Sequence, residues 1–201
     1  MERKALVVGV TGMAGLNTAE ALVREGWSVV GLSRTGRHEI PGVEHVTGDV
    51  MDANSVEDAV RGAGVTHVFF TTWSRQETEA RNCAVNGAML ANTLAAVGRT
   101  TQLQHVVLVT GLKHYLGPFE AYAQIPPETP FREAQGRLPI QNFYYDQEDV
   151  LFSEAERQGF TWSVHRPHTL IGYALGNVMN MGVTLAIYGH HFRRTSATVR
   201  A

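Results

Sequence analysis

Three glycines at a spacing of three, Gly9, Gly12 and Gly15, follow the apolar run 5–8 and precede the helix-forming stretch 17–24. A strand, a glycine turn and a helix N-terminus together make an anion site. Backbone N–H groups converge there, the helix dipole favours negative charge, and the missing Cβ atoms let a pyrophosphate approach. The glycines alone are a weak signal; with the strand before and the helix after, they form the dinucleotide fingerprint in the context it requires. The second strand ends at Ser33-Arg34-Thr35, with no acidic residue. A carboxylate there would bond a ribose 2′-hydroxyl, whereas arginine accommodates a 2′-phosphate, so NADPH/NADP+ is expected rather than NADH. Asp49 and Val50 follow the third strand, beside the adenine position. Thr71-Thr72-Trp73 ends the fourth strand, at the edge where the ligand crevice of such folds opens.

A second set of residues could act on a substrate. The chain has only two lysines, Lys4 and Lys113. Lys4 precedes the first strand, where a solvated flank explains it; Lys113 lies in Thr110-Gly-Leu-Lys-His-Tyr115, leaving the fifth strand. The sequence Asn142-Phe-Tyr-Tyr-Asp-Gln-Glu-Asp149 opens the next helix. No Tyr-x-x-x-Lys is present, because Tyr144 and Tyr145 are followed four residues on by Glu148 and Asp149. A lysine and a tyrosine could still reach the crevice from two different elements. On the residues alone, a surface lysine and a core tyrosine pair explain the same letters equally well. The remaining candidates read as structural. The nine histidines, His190-His191 included, lack metal-ligand spacing. Glu148-Asp149 reads as negative charge favouring a helix N-terminus, and Met179 and Met181 as core or pocket lining.

The elements that must position these groups alternate short apolar strands with amphipathic helices, the pattern of βαβ units on a parallel sheet. Strands are predicted at 27–33, 43–47, 66–71, 104–110 and 161–165 after the first. Helices are predicted from Asp52 as cap to Val60, from about Gln76 to Val97, and from about Phe143 to Gln158. Six strands in this order fit an α/β, Rossmann-type doubly wound sheet. Between Gly117 and Pro139 lie five of the seven prolines, marking a long loop of the kind that usually carries function. Residues 175–188 read as one more helix, so that 1–188 form the NAD(P)-binding Rossmann domain and 189–201 an irregular C-terminal tail.

Composition sets the outer bounds. A chain of 201 residues, 44% hydrophobic and 18% charged, is an ordinary globular domain. The net charge of -2 gives no reason to expect nucleic acid or an anionic membrane as partner. There is no apolar run of transmembrane length, and the N-terminus leads directly into a core strand rather than a signal peptide. Cys83 is the single cysteine, which excludes an intrachain disulfide. The expected compartment is the cytoplasm.

Four stretches, Gly-Val-Thr-Gly-Met-Ala-Gly, Thr-Gly-Leu-Lys-His-Tyr-Leu-Gly-Pro-Phe, Asn-Phe-Tyr-Tyr-Asp-Gln-Glu-Asp and Trp-Ser-Val-His-Arg-Pro, resemble the progesterone 5β-reductase/iridoid synthase-like enzymes. These are atypical short-chain dehydrogenases that reduce activated C=C bonds with NADPH, and the resemblance covers the chain to about Tyr188. It implies that Lys113 and Tyr144 are catalytic. It further implies that Thr11, Gly12, Met13, Ser33, Arg34, Asp49, Val50, Thr72, Tyr144 and Leu170 meet the cofactor. Members usually carry two arginines at the end of the second strand; here the first position is Ser33. The implied substrate is a small-molecule enone or enal, with room for a homodimer. In the implied chemistry charge develops on the carbonyl oxygen as an enolate, and a tyrosine hydroxyl aimed there donates to it. A lysine ammonium nearby is expected to lower the tyrosine pKa from about 10. Relatives continue beyond the sixth strand into a smaller lobe that closes over the substrate. Most of that lobe is missing here, and the loss of family character after Tyr188 suggests a truncated or frame-shifted reading frame. A non-catalytic NADP(H)-binding module is the competing expectation; a carbonyl reductase or sugar-nucleotide epimerase is a third, weakened by the absent Tyr-x-x-x-Lys.

Overall fold

The computed structural model describes residues 3–36, 39–122, 125–174 and 181–198. Six strands run β1 Lys4–Val8, β2 Ser28–Ser33, β3 Val43–Thr47, β4 His67–Phe70, β5 His105–Val109 and β6 Thr161–His165. The helices are α1 Met13–Arg24, α2 Ala53–Val60, α3 Glu79–Thr100, the single turn α4 Lys113–Leu116, α5 Phe143–Gln158 and α6 Met181–Thr198. All strand pairs are parallel, in the order β3-β2-β1-β4-β5-β6. The expected doubly wound Rossmann-type sheet is therefore present, its strand order reversing between β1 and β4.

Two apolar layers enclose the sheet. The larger joins Leu6, Val8, Val68, Phe70 and Leu108 to Val56, Val60, Leu90, Leu94 and Leu151 from α2, α3 and α5. The smaller packs Val7, Val29 and Ala19 with partly buried Leu16, Leu22 and Phe69 under α1. Strand residues alternate between these layers because successive side chains point to opposite faces. The register sets Val8 level with Leu32 and Phe70, and Phe70 level with Leu108. The four central strands therefore end together and leave one rim.

Local signals set the helix boundaries. The Asp52 carboxylate accepts the Asn54 N–H at 2.9 Å, making the expected cap of α2. α3 begins at Glu79 rather than Gln76, because Thr78 caps it and the two buried amides Asn82 and Asn86 hold the preceding segment extended. Asn82 Oδ1 accepts the Gln76 N–H at 2.7 Å, and Asn86 Oδ1 accepts the Ser74 N–H at 2.8 Å. This start sets Ala84 in solvent and turns Cys83, Asn86 and Leu90 inward.

The tail differs from expectation: α6 continues through Gly189 and ends at Thr198, where an irregular segment is predicted. Its side chains Leu185, Ile187 and Tyr188 are more than half exposed, so these apolar residues are not held to the period of a buried face, from which a helix is read in sequence. Met179 lies outside the described residues. No helix among the described residues is long and apolar enough to cross a membrane.

Candidate functional site

A crevice of about 1160 Å³ opens over the carboxyl ends of β1, β2, β4 and β5. Its walls include Gly9, Thr11, Gly12, Met13, Ser33, Arg34, Asp49, Val50, Thr72, Lys113, Tyr144 and Leu170, so the fold brings nearly all of the sequence candidates to one place. Gly15 is the exception. A Cβ on Gly15 would run into the Gly9 carbonyl oxygen, so this glycine lets α1 pack tightly on the turn and does not face the crevice.

The turn itself fits a pyrophosphate. Gly9 has φ +82°, and a Cβ there would meet Thr72 Cβ at 2.7 Å. Gly12 is the N-cap of α1, no side chain among the described residues caps that helix, and its first turn has no acidic residue. The first-turn N–H groups are thus left for an anion. Gly15→Ala is expected to cost about 2 kcal/mol of stability through overpacking and to weaken dinucleotide binding. Thermal melts with and without NADP+ check this; an unchanged melting temperature would contradict the tight packing.

At the end of β2 the Ser33 hydroxyl is already occupied. It donates to the Thr35 carbonyl at 3.0 Å and lies 2.9 Å from His45 Nε2. Of the two positions, Arg34 is the cation; it is exposed and has no ion-pair partner among the described residues. Asp49 is braced beside it: its Oδ1 accepts the Met51 N–H at 2.9 Å.

Lys113 and Tyr144 arrive from α4 and α5, and two clasps knit their segments together. Asn142, the N-cap of α5, accepts the Tyr144 N–H at 3.1 Å and donates Nδ2 to the Lys113 carbonyl at 2.8 Å. Glu79, the first residue of α3, accepts from Lys113 Nζ at 2.7 Å and from the Phe143 N–H at 2.9 Å. Lys113 Nζ also sits 4.5 Å from the Phe143 ring centre. The Tyr144 hydroxyl lies against Gly111, where a Cβ would come within 3.1 Å of it.

The electrostatics correct one expectation. Lys113 does not lower the Tyr144 pKa. Burial, then the Glu79 carboxylate, then Tyr122, push it up to about 12. The ammonium is engaged by Glu79, whose own pKa is lowered although burial would raise it, because hydrogen bonds from Lys113, Phe143 and Asn82 outweigh that penalty. Tyr144 is therefore a neutral phenol, a hydrogen-bond donor across the whole physiological range.

Glu148 also differs from expectation. It sits beyond the first turn of α5, where the helix dipole has faded, and is 1% exposed. Its Oε1 accepts from Arg166 Nη2 at 2.8 Å and its Oε2 from Arg137 Nη2 at 3.1 Å; Arg137 also reaches Asp149 at 2.7 Å. His114 Nδ1 lies 3.2 Å from Oε1, although neither ring nitrogen of this buried histidine attains hydrogen-bond geometry. Glu148 thus ties together α5, the long proline-rich loop, α4 and the segment after β6 that leads to Leu170. Sequence reasoning missed this hub and Glu79 alike. Both partner sets come from segments distant in the chain, so no spacing rule could have found them. Tyr122, from the same loop, and Met181 complete the crevice wall.

Comparison with known proteins bears on the family and the fold. The NAD dependent epimerase/dehydratase family matches residues 5–173. A (S)-8-oxocitronellyl enol synthase of Nepeta cataria is 40% identical over 210 residues, covering 99% of this chain and 54% of that protein. A 3-oxo-Delta(4,5)-steroid 5-beta-reductase of Arabidopsis thaliana is 41% identical over 199 residues, covering 93% of this chain and 51% of that protein. These relatives bear out the resemblance read from the motifs, and the chain spans about half their length. Among solved structures, a UDP-glucose 4-epimerase of Brucella ovis in complex with NAD superimposes with a TM-score of 0.67 at 19% identity, covering 88% of this chain and 55% of that one. A likeness at that identity supports the fold alone.

Proposed function

This chain belongs to the NAD dependent epimerase/dehydratase family, and on that premise we propose that it reduces the activated C=C bond of an enone or enal with NADPH. The observation that carries the reading is the meeting of Lys113 and Tyr144 in one crevice wall, with the phenol held neutral beside Gly111. The relatives support the substrate class, since a 3-oxo-Delta(4,5)-steroid is an enone and its 5-beta-reductase saturates the double bond.

The residues divide the work as follows. Gly9, Thr11, Gly12 and Met13 hold the pyrophosphate, Arg34 takes the 2′-phosphate, and Asp49 and Val50 flank the adenosine, with Thr72 and Leu170 further along the wall. When bound, NADPH supplies a hydride to the substrate β-carbon. Tyr144 Oη donates to the carbonyl oxygen, where enolate charge develops, and retains its proton while doing so. Lys113 orients the nicotinamide ribose. A proton from solvent water then adds at the α-carbon, releasing the saturated product and hydroxide.

The test follows NADPH oxidation with cyclohexenone and identifies the product. A saturated ketone supports the reading, and an alcohol would instead indicate a carbonyl reductase. Tight NADPH binding without turnover would favour a non-catalytic NADP(H)-binding module. The chain's span of about half its relatives motivates that second reading. The cofactor preference has its own check: Arg34→Ala is expected to weaken NADPH binding about tenfold through loss of a charge-assisted contact, with NADH binding little changed. Equal loss for both nucleotides would remove Arg34 from the 2′-phosphate site.

A further inference from the structure

We propose that Glu79 is the third member of this site, a positioning residue that holds Lys113 on the Phe143 ring and keeps the lysine's charge away from Tyr144. The inference rests on the enone-reductase reading for its catalytic consequence, though not for its geometry.

One carboxylate here serves three donors. Oε2 accepts from Lys113 Nζ at 2.7 Å and from Asn82 Nδ2 at 3.0 Å, and Oε1 accepts the Phe143 N–H at 2.9 Å. Glu79 opens α3 and Phe143 opens α5. The carboxylate therefore lies where one helix dipole favours negative charge and also satisfies an otherwise orphaned amide of a second helix. Both members of the ion pair are largely shielded, with side chains 16% and 21% exposed. A charge pair so placed holds its geometry, because releasing either partner leaves the other desolvated and unpaired.

The chemical consequence is a choice between two uses of tyrosine. A lysine ammonium left free beside a phenol lowers its pKa, so that the hydroxyl gives its proton to a carbonyl oxygen more readily and the resulting phenolate can take one from an alcohol. With Glu79 paired to Lys113 at 2.7 Å the charge of the ammonium is offset, so a phenolate gains little from it. Tyr144 is then confined to hydrogen-bond donation, which an enolate oxygen needs and a proton shuttle does not. Glu79 thereby biases the crevice toward C=C reduction.

The chain's two lysines make the test direct. In protein labelled with 13C-lysine, only the Lys4 and Lys113 ε-CH2 groups contribute, and the Phe143 ring displaces the Lys113 signal upfield. Glu79→Gln is expected to move that signal most of the way to the Lys4 position, and acidification of the wild-type protein through the Glu79 titration is expected to do the same without any substitution. A Lys113 signal unmoved by both would overturn the positioning role. For turnover, Glu79→Gln is expected to lower kcat about tenfold with little change in the KM for NADPH. It is also expected to shift the alkaline limb of the pH profile down by about one pH unit. Glu79→Asp, which keeps the charge, is expected to hold the limb in place; an equal fall in both variants would overturn the electrostatic role. If the wild type reduces no enone, the function falls while the lysine signal still decides the positioning.

Discussion

Tyr144→Phe is expected to lower kcat for enone reduction by about a hundred- to a thousandfold, with a far smaller change in NADPH affinity. Removing one preorganised donor to a developing oxyanion typically costs this much. The substitution deletes a single oxygen. The ring keeps its contact with Phe143, at 4.4 Å between centroids, and the backbone keeps the Asn142 cap. The loss therefore reports the hydroxyl and not the packing. Steady-state turnover of cyclohexenone with NADPH, beside fluorescence titration of the cofactor, separates the two quantities. Unchanged kcat in the phenylalanine variant would remove Tyr144 from the reaction. The pH dependence gives a second check. A phenol held up near pKa 12 stays protonated through neutral and mildly alkaline pH, so no loss of rate from its ionisation is expected below about pH 10. A limb near pH 7 or 8 would mean a phenolate-forming tyrosine, contrary to the Glu79–Lys113 arrangement.

Glu148→Ala is expected to destabilise the fold by about 3 kcal/mol at pH 7, the lower end of what breaking a buried ion pair costs, since Arg137 and Arg166 retain some access to water. It strips Arg166 and Arg137 of their shared acceptor at once and removes the carboxylate that lies 3.2 Å from His114. It also loosens the segment after β6 that carries Leu170, so NADPH binding should weaken together with stability. Burial would raise the Glu148 pKa, but His114 and Arg166 outweigh it and bring the group down to about 2. The folded state thus binds its proton more weakly than the unfolded chain. Its stabilisation is complete above the ordinary carboxylate range near pH 4.5 and is lost as the pH falls from there toward about 2. Urea unfolding at pH 7, 4 and 3 checks both points. Glu148→Gln should lose much of the wild-type decline between pH 4.5 and 2. An identical acid slope in the two proteins would show that Glu148 does not drive it.

Much of the architecture was legible because it is written in local rules. Asp52 is a cap followed by helix formers, and Gly26, at φ +78°, ends α1. The limits of α5 and β6 fall where the predicted ones do. The errors arose where distant groups override local preference. The residues around Gln76 suit a helix, yet buried Asn82 and Asn86 hold them extended. Lys113 and Tyr144 were legible as a pair, but the direction in which the Tyr144 pKa moves was not. Burial raises it first, and then Glu79, which precedes Lys113 by 34 residues and arrives from another helix.

The sequence by itself determined a dinucleotide fold and most of the candidate residues that line its crevice. Glycine spacing, strand order and helix caps act within a few residues of one another, and their chemistry does not wait on the rest of the chain. Only the tertiary structure decided what state those residues are in. It moved Gly15 from the crevice to a packing contact, turned Glu148 from a helix-end charge into a hub, and raised the Tyr144 pKa where a lowered one is expected. The physical reason is common to all three. Charge states and close contacts are set by what lies within a few ångströms, and in a parallel sheet with crossover helices those neighbours come from anywhere in the chain.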